Sequence, residues 1–133
     1  MAQFHWPIRV YYEDTDAGGI VYYANYLKFF ERARTEWLRS LGIEQDTLLA
    51  QGVGFVVRHV VMDNMAAARF NQELLVVSQI STLKAASVVF EQQLYHNEKC
   101  LVSVQVKVAC VQLDTMKPVA IPADILGELR RAS

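Results

Sequence analysis

Positive charge is not in excess in this chain. Thirteen Lys and Arg face fourteen Asp and Glu, a net charge of −1. That balance lacks the basic footprint of a nucleic-acid or anionic-membrane partner. Long apolar runs are missing too. Stretches such as 53–57 and 74–77 are far too short to span a bilayer, so no membrane insertion is expected. The start, Met1-Ala2-Gln3-Phe4-His5, shows neither a basic nor a long apolar region, which predicts no secretory signal. Cysteine is limited to Cys100 and Cys110. Ten residues of straight strand would hold them roughly 30 Å apart, beyond disulfide reach. They read as reduced thiols of a cytoplasmic protein. His5, His59 and His96 are scattered, so no metal site is expected. Nucleotide-binding glycine loops and the G-x-S-x-G elbow are absent.

What is present fits one domain over 1–133. Its hydrophobic fraction is 53%, and no linker or repeat divides it. A chain this long buries roughly two-thirds of its unfolded surface. Ile8 to Tyr12 reads as a strand after Pro7. From about Tyr23 to Leu41 the pattern is helical, with Tyr26, Phe30, Ala33, Trp37 and Leu41 forming one apolar stripe. Gly42 is placed to end that helix. Asp46 to Gln51 predicts a short helical turn. Strand patterns then follow from Gly52 to Leu113. The clearest has Val102, Val104, Val106, Val108 and Cys110 on one face and Ser103, Gln105 and Lys107 on the other. Pro122 opens a short C-terminal helix. One strand, one long helix and four consecutive strands predict an α+β fold with a five-stranded antiparallel sheet. One helix covers only one sheet face, so a homo-oligomer is expected.

Chemistry concentrates in Glu13-Asp14-Thr15-Asp16-Ala17-Gly18-Gly19-Ile20. Aspartate ahead of Ala-Gly-Gly commonly makes an ordinary Asx-turn. Three features favour function over that reading. The acids sit at a strand-to-helix junction. Gly18 and Gly19 allow a molecule to approach the backbone closely. The following helix brings unpaired N–H donors. A carboxylate beside an oxyanion site is what acyl transfer to water requires. Tyr22 and Tyr23 flank the loop and are candidates for lining an acyl pocket. Phe29, Phe30 and Trp37 read as core, and His59 as a core or interface histidine.

The run from Tyr12 to Tyr26, followed by Phe30-Glu31-Arg32-Ala33-Arg34-Thr35-Glu36, resembles the hotdog-fold acyl-CoA thioesterases of the 4-hydroxybenzoyl-CoA thioesterase type. Within them it most resembles the YbgC group, associated with the Tol–Pal cell-envelope system. Phe55-Val56-Val57-Arg58, Ala68-Arg69 and Met116-Lys117-Pro118 extend the resemblance over nearly the whole chain. The resemblance implies a long central helix wrapped by the sheet, with active sites at a dimer interface, often in a dimer of dimers (a homotetramer). It assigns Asp16 as nucleophile or general base and the Tyr23 backbone amide as oxyanion donor. Asp14 then shapes the loop, and Lys84 meets the phosphates of coenzyme A. Many YbgC-like proteins carry histidine where this chain has Tyr23; a backbone donor survives that change. No cofactor is implied, since coenzyme A is part of the substrate.

A second reading keeps the fold as a non-catalytic scaffold, binding an acyl carrier protein or an envelope-system partner. The intact Asp16 and Gly18-Gly19 argue against it. A hotdog hydratase is weaker still, because that chemistry pairs an Asp with a nearby His and none follows Asp16 before His59.

Overall fold

The computed structural model describes residues 2–133. In chain order the elements are β1 (Phe4–Arg9), a 3₁₀ turn (Tyr12–Asp14), α1 (Asn25–Ser40), α2 (Gln45–Ala50), β2 (Val53–Asn64), β3 (Glu73–Leu83), β4 (Ser87–His96), β5 (Lys99–Gln112), β6 (Lys117–Pro118) and α3 (Ala123–Ala132). The strands form one antiparallel sheet in the order β1-β3-β4-β5-β2. The five expected strands gain a sixth, because Lys117 and Pro118 pair with the end of β5. The expected turn from Asp114 to Pro118 is therefore partly strand. Register shifts at Val57/His59, Ile80/Thr82 and Leu94/Tyr95 each add local twist. The sheet curls around α1, which is the hotdog arrangement. No helix among the described residues is long and apolar enough to cross a membrane.

The apolar stripe explains why α1 lies where it does. Tyr26, Phe29, Phe30, Ala33, Trp37 and Leu38 are all buried, and Phe29 and Phe30 completely so. Burying each large side chain contributes about 1.5–3 kcal/mol. The alternation in β5 fixes the matching surface, with Val102, Val104, Val106, Val108 and Cys110 all buried. The helix stops at Gly42, whose φ of 79° suits glycine, and the Ile43 N–H closes back on the Leu38 carbonyl at 3.0 Å.

Two boundaries differ from expectation. β1 begins at Phe4 and passes through Pro7, then ends at Arg9 instead of Tyr12. Proline is tolerated there because β1 is an edge strand. The strand ends early because the Asp14 carboxylate accepts the Tyr11 N–H at 2.8 Å and turns the chain. The helix begins at Asn25, two residues later than expected, since Tyr22 to Ala24 form a tight turn ahead of it. Of the two places expected for His59, core or interface, the structure rules out the core: the residue lies exposed on the edge strand β2.

One buried polar network joins helix to sheet. Gln92 is fully buried on β4, and its side-chain amide donates to the Phe30 carbonyl at 3.0 Å and the Ser78 hydroxyl at 2.9 Å. Its Oε1 accepts from Arg34 at 2.9 Å. Gln92→Leu removes all three bonds and leaves a buried guanidinium without its acceptor. It is expected to cost about 2–3 kcal/mol, read as a lower urea midpoint. An unchanged midpoint would show that the network is not stabilising.

Candidate active site

The loop between β1 and α1 folds back on itself. The Thr15 hydroxyl donates to the Tyr12 carbonyl at 2.7 Å. The Tyr22 N–H donates to the Asp14 carbonyl at 3.1 Å, Thr15 bridges Val21, and the Asp16 N–H donates to the Ile20 carbonyl at 3.0 Å. Gly19 closes the turn at φ 76°, a conformation that favours glycine. Asp14 is the anchor. It is buried, it caps Tyr11, and its carbonyl also receives the Asn25 side-chain amide at 2.9 Å. Its expected role in shaping the loop is therefore visible as three contacts.

A second segment, Met65 to Gln72, braces the loop from outside. The Val21 N–H donates to the Ala68 carbonyl at 2.8 Å and the Phe70 N–H to the Gly19 carbonyl at 2.9 Å. The Ala68 N–H donates to the Tyr26 hydroxyl at 3.0 Å, so the brace is pinned to α1 as well.

Asp16 stands at the tip of this frame, exposed. Its Oδ1 accepts the Gly18 N–H at 2.9 Å, and it forms no ion pair among the described residues. The Asx-turn is thus present, and it leaves the other carboxylate oxygen free of protein donors among the described residues. On the opposite arm the Tyr23 and Ala24 N–H groups have no acceptor among the described residues. The next three amides, those of Asn25, Tyr26 and Leu27, are already bonded to the carbonyls of Tyr22, Tyr23 and Ala24. The free donors therefore precede the helix instead of lying in its first turn. Counting along the arms from the Asp16–Ile20 bond, Tyr23 lies roughly 10 Å of backbone from Asp16.

Tyr23 lines an open cavity of about 230 Å³ with Val21, Tyr26 and the stretch from Asn64 to Ala67. Asp16 is not among its walls. The Tyr22 and Tyr23 rings meet at a tilt of 48° with centres 5.0 Å apart, both about half exposed. Tyr12 meets Phe70 edge-on across the brace.

The comparisons with known proteins agree on the family of the chain. Residues 10–129 match the thioesterase-like superfamily. The acyl-CoA thioesterase YbgC of Haemophilus influenzae is 52% identical over 123 residues, covering 92% of this chain and 90% of that protein. The chain belongs to the YbgC family of hotdog-fold thioesterases. The acyl-CoA thioester hydrolase YbgC of Escherichia coli is 44% identical over 129 residues, covering 96% of each. A probable thioesterase from Bartonella henselae, solved as a crystal structure, superposes with a TM-score of 0.84 at 39% identity, over 91% of this chain and 100% of that one.

Within this chain the sequence candidates are only partly gathered. Asp16, Gly18, Gly19, Tyr22 and Tyr23 share one loop. Lys84 does not join them. The loop packs against the Glu73 end of β3, whereas Lys84 follows its other end, eleven residues or about 35 Å away. There the turn is fastened to the C-terminal segment, with the Ala85 and Ala86 carbonyls accepting from Ile121 at 2.8 Å and Cys110 at 2.9 Å. The residues that sequence reasoning passed over are Tyr26, whose hydroxyl holds the brace, and Arg34. Arg34 follows Phe30 by four residues and precedes Trp37 by three, so its spacing alone places it on the buried stripe.

Gly19→Ala is expected to destabilise the fold by about 1 kcal/mol through left-handed strain, since a Cβ there meets nothing within 4 Å. Urea unfolding checks this. A stability equal to wild type would mean the loop does not require that φ.

Proposed function

We propose that this protein hydrolyses acyl-CoA thioesters, with Asp16 acting on the thioester carbonyl carbon and the Tyr23 amide holding its oxygen. The observation that carries this reading is the pairing on one loop of a carboxylate without an ion-pair partner and two backbone donors without acceptors, within the described residues. A side chain reaching from Asp16 and two contacts of about 3 Å to a carbonyl group span a gap of roughly the size between the two arms. The family's relatives named as acyl-CoA thioesterases support the substrate class.

Two routes use the same groups. In one, a carboxylate oxygen bonds to the acyl carbon, the C–S bond breaks, coenzyme A leaves as thiolate, and water then hydrolyses the mixed anhydride. In the other, Asp16 takes a proton from water as that water attacks, and the proton passes to the departing sulfur. In both, negative charge grows on the carbonyl oxygen, where the Tyr23 and Ala24 N–H groups are free to receive it. Loss of one such donor elsewhere costs roughly 3–4 kcal/mol.

The site is completed by a second copy of the chain. β2 is an unpaired edge of twelve residues, and Val57, Val60 and Val61 on it are exposed. Such an edge pairs readily with a copy of itself. A partner subunit is also the means by which a Lys84 could approach an Asp16. A dimer, or a dimer of dimers, is the form in which we expect activity. The scaffold reading has no observation of its own in its favour.

Asp16→Asn is expected to fold and assemble as wild type while kcat falls at least about 100-fold, measured as thiol release from a panel of acyl-CoAs. Near-normal turnover would remove Asp16 from the mechanism. Label from H₂¹⁸O found in the Asp16 carboxylate under single turnover would select the anhydride route. Separately, Val60→Glu with Val61→Glu is expected to yield a monomer by light scattering with little activity. A fully active monomer would rule out a shared site.

A further inference from the structure

Arg34 is a buried cation without a counterion. Its side chain belongs to a residue only 8% exposed, and it forms no ion pair among the described residues. The nearest charge acting on it is Glu31, one turn earlier, yet burial dominates and lowers the guanidinium to about 10. A guanidinium carries five N–H donors. One is used, by Gln92 Oε1 at 2.9 Å. Its face lies 5.9 Å from the Phe90 ring centre, which leaves the edges free. No fully buried side-chain nitrogen among the described residues lacks a partner, so the unused Arg34 donors are not sealed in.

They open onto a cavity of about 120 Å³ between α1 and the sheet. Its apolar walls include Leu38, Val88, Phe90 and Leu129, with Phe55 and Val57 from the β2 edge proposed as the subunit seam. Glu31, Thr35 and Gln45 stand around Arg34 on its polar side. An apolar cavity of about 150 Å³ holds a benzene ring, so this one suits a chain of about four or five carbons. A buried cation that bonds only Gln92, opposed by the exposed Glu31 without an ion pair, and that lines an apolar chamber is matched by an anion with an apolar tail.

We propose that this cavity is a carboxylate-binding site, with Arg34 pairing the carboxylate and the walls taking a short aliphatic tail. It is distinct from the loop that carries Asp16. Eleven residues of α1 and its approach separate Tyr23 from Arg34, about 16 Å along the axis. The site itself does not rest on the thioesterase reading. Two sources share the chemistry: a free short-chain acid, or the distal carboxylate of a long acyl chain.

Titration of the wild-type protein with butanoate and hexanoate, followed by amide chemical shifts and melting temperature, tests the first source. Saturable binding is expected, with shifts around Arg34 and Phe90, and none from butanamide at equal concentration. Arg34→Met should weaken it at least tenfold, and Glu31→Gln should tighten it by removing the opposing charge. Should Arg34→Met fail to fold, Thr35→Trp narrows the polar side with Arg34 intact and is expected to block binding equally. For the second source, hydrolysis of ω-carboxyacyl-CoA is compared with acyl-CoA of equal length. A preference lost in Arg34→Met, with acyl-CoA turnover unchanged, assigns the site to the substrate tail; this arm alone depends on hydrolysis. Absence of Arg34-dependent carboxylate binding in the titration and of such a preference would overturn the proposal. Failure of all hydrolysis alongside saturable butanoate binding would sink the enzyme reading and leave this one standing.

Discussion

Everything that positions the loop carrying Asp16 depends on the seating of α1 in the curled sheet. Phe29 and Phe30 are wholly buried, and the backbone between them and the sheet is tied by Gln92 to the Phe30 carbonyl. Apolar burial supplies the energy but has no direction of its own. The amide of Gln92 supplies the register, because it must satisfy Phe30, Ser78 and Arg34 together. Slide the helix by one turn and the two bonds from Gln92 to α1, at the Phe30 carbonyl and the Arg34 guanidinium, are lost. From that fixed point Tyr26 reaches the Ala68 N–H, and Asn25 reaches the Asp14 carbonyl. The loop inherits its position from the helix instead of holding it alone.

The two aspartates of the motif divide the labour that follows. Asp14 is buried and committed to backbone donors, so its carboxylate is structural. Asp16 is exposed and holds only the Gly18 N–H. A Cβ at Gly18 would stand 3.4 Å from the Asp16 Oδ1, an ordinary contact, so the turn's need for glycine falls on Gly19 with its φ of 76°. The free amides of Tyr23 and Ala24 survive because the tight turn before α1 uses the carbonyls there and the amides three residues later.

Much of this was legible from residue spacing. Alternation in β5 and the three- and four-residue spacing in α1 each reflect a one-sided core, and both elements formed as expected. The Gly42 stop formed for the same local reason. What spacing did not reveal depends on particular contacts, some local and some remote in sequence. The early end of β1 follows from a side chain three residues on, and its passage through Pro7 follows from being an edge, which only the assembled sheet defines. The brace from Met65 to Gln72 carries little periodicity, and its bonds to the loop span some fifty residues. Lys84 is assigned by family resemblance to the coenzyme A phosphates, yet within one chain it is not the loop's neighbour, because an extended eleven-residue strand lies between them. Arg34 was hidden by its charge, although its place in the stripe pointed inward.

The two borders of the sheet are not equivalent. β1 carries Pro7, which has no N–H to offer a newcomer, and its six residues make a short template. β2 is twice as long and presents its ladder open. If two copies join through β2 about a twofold axis, both outward-facing borders of the product are the proline-bearing kind. Growth by strand addition would then end at two, and a chain joining in that way would be protected from running on into a fibre.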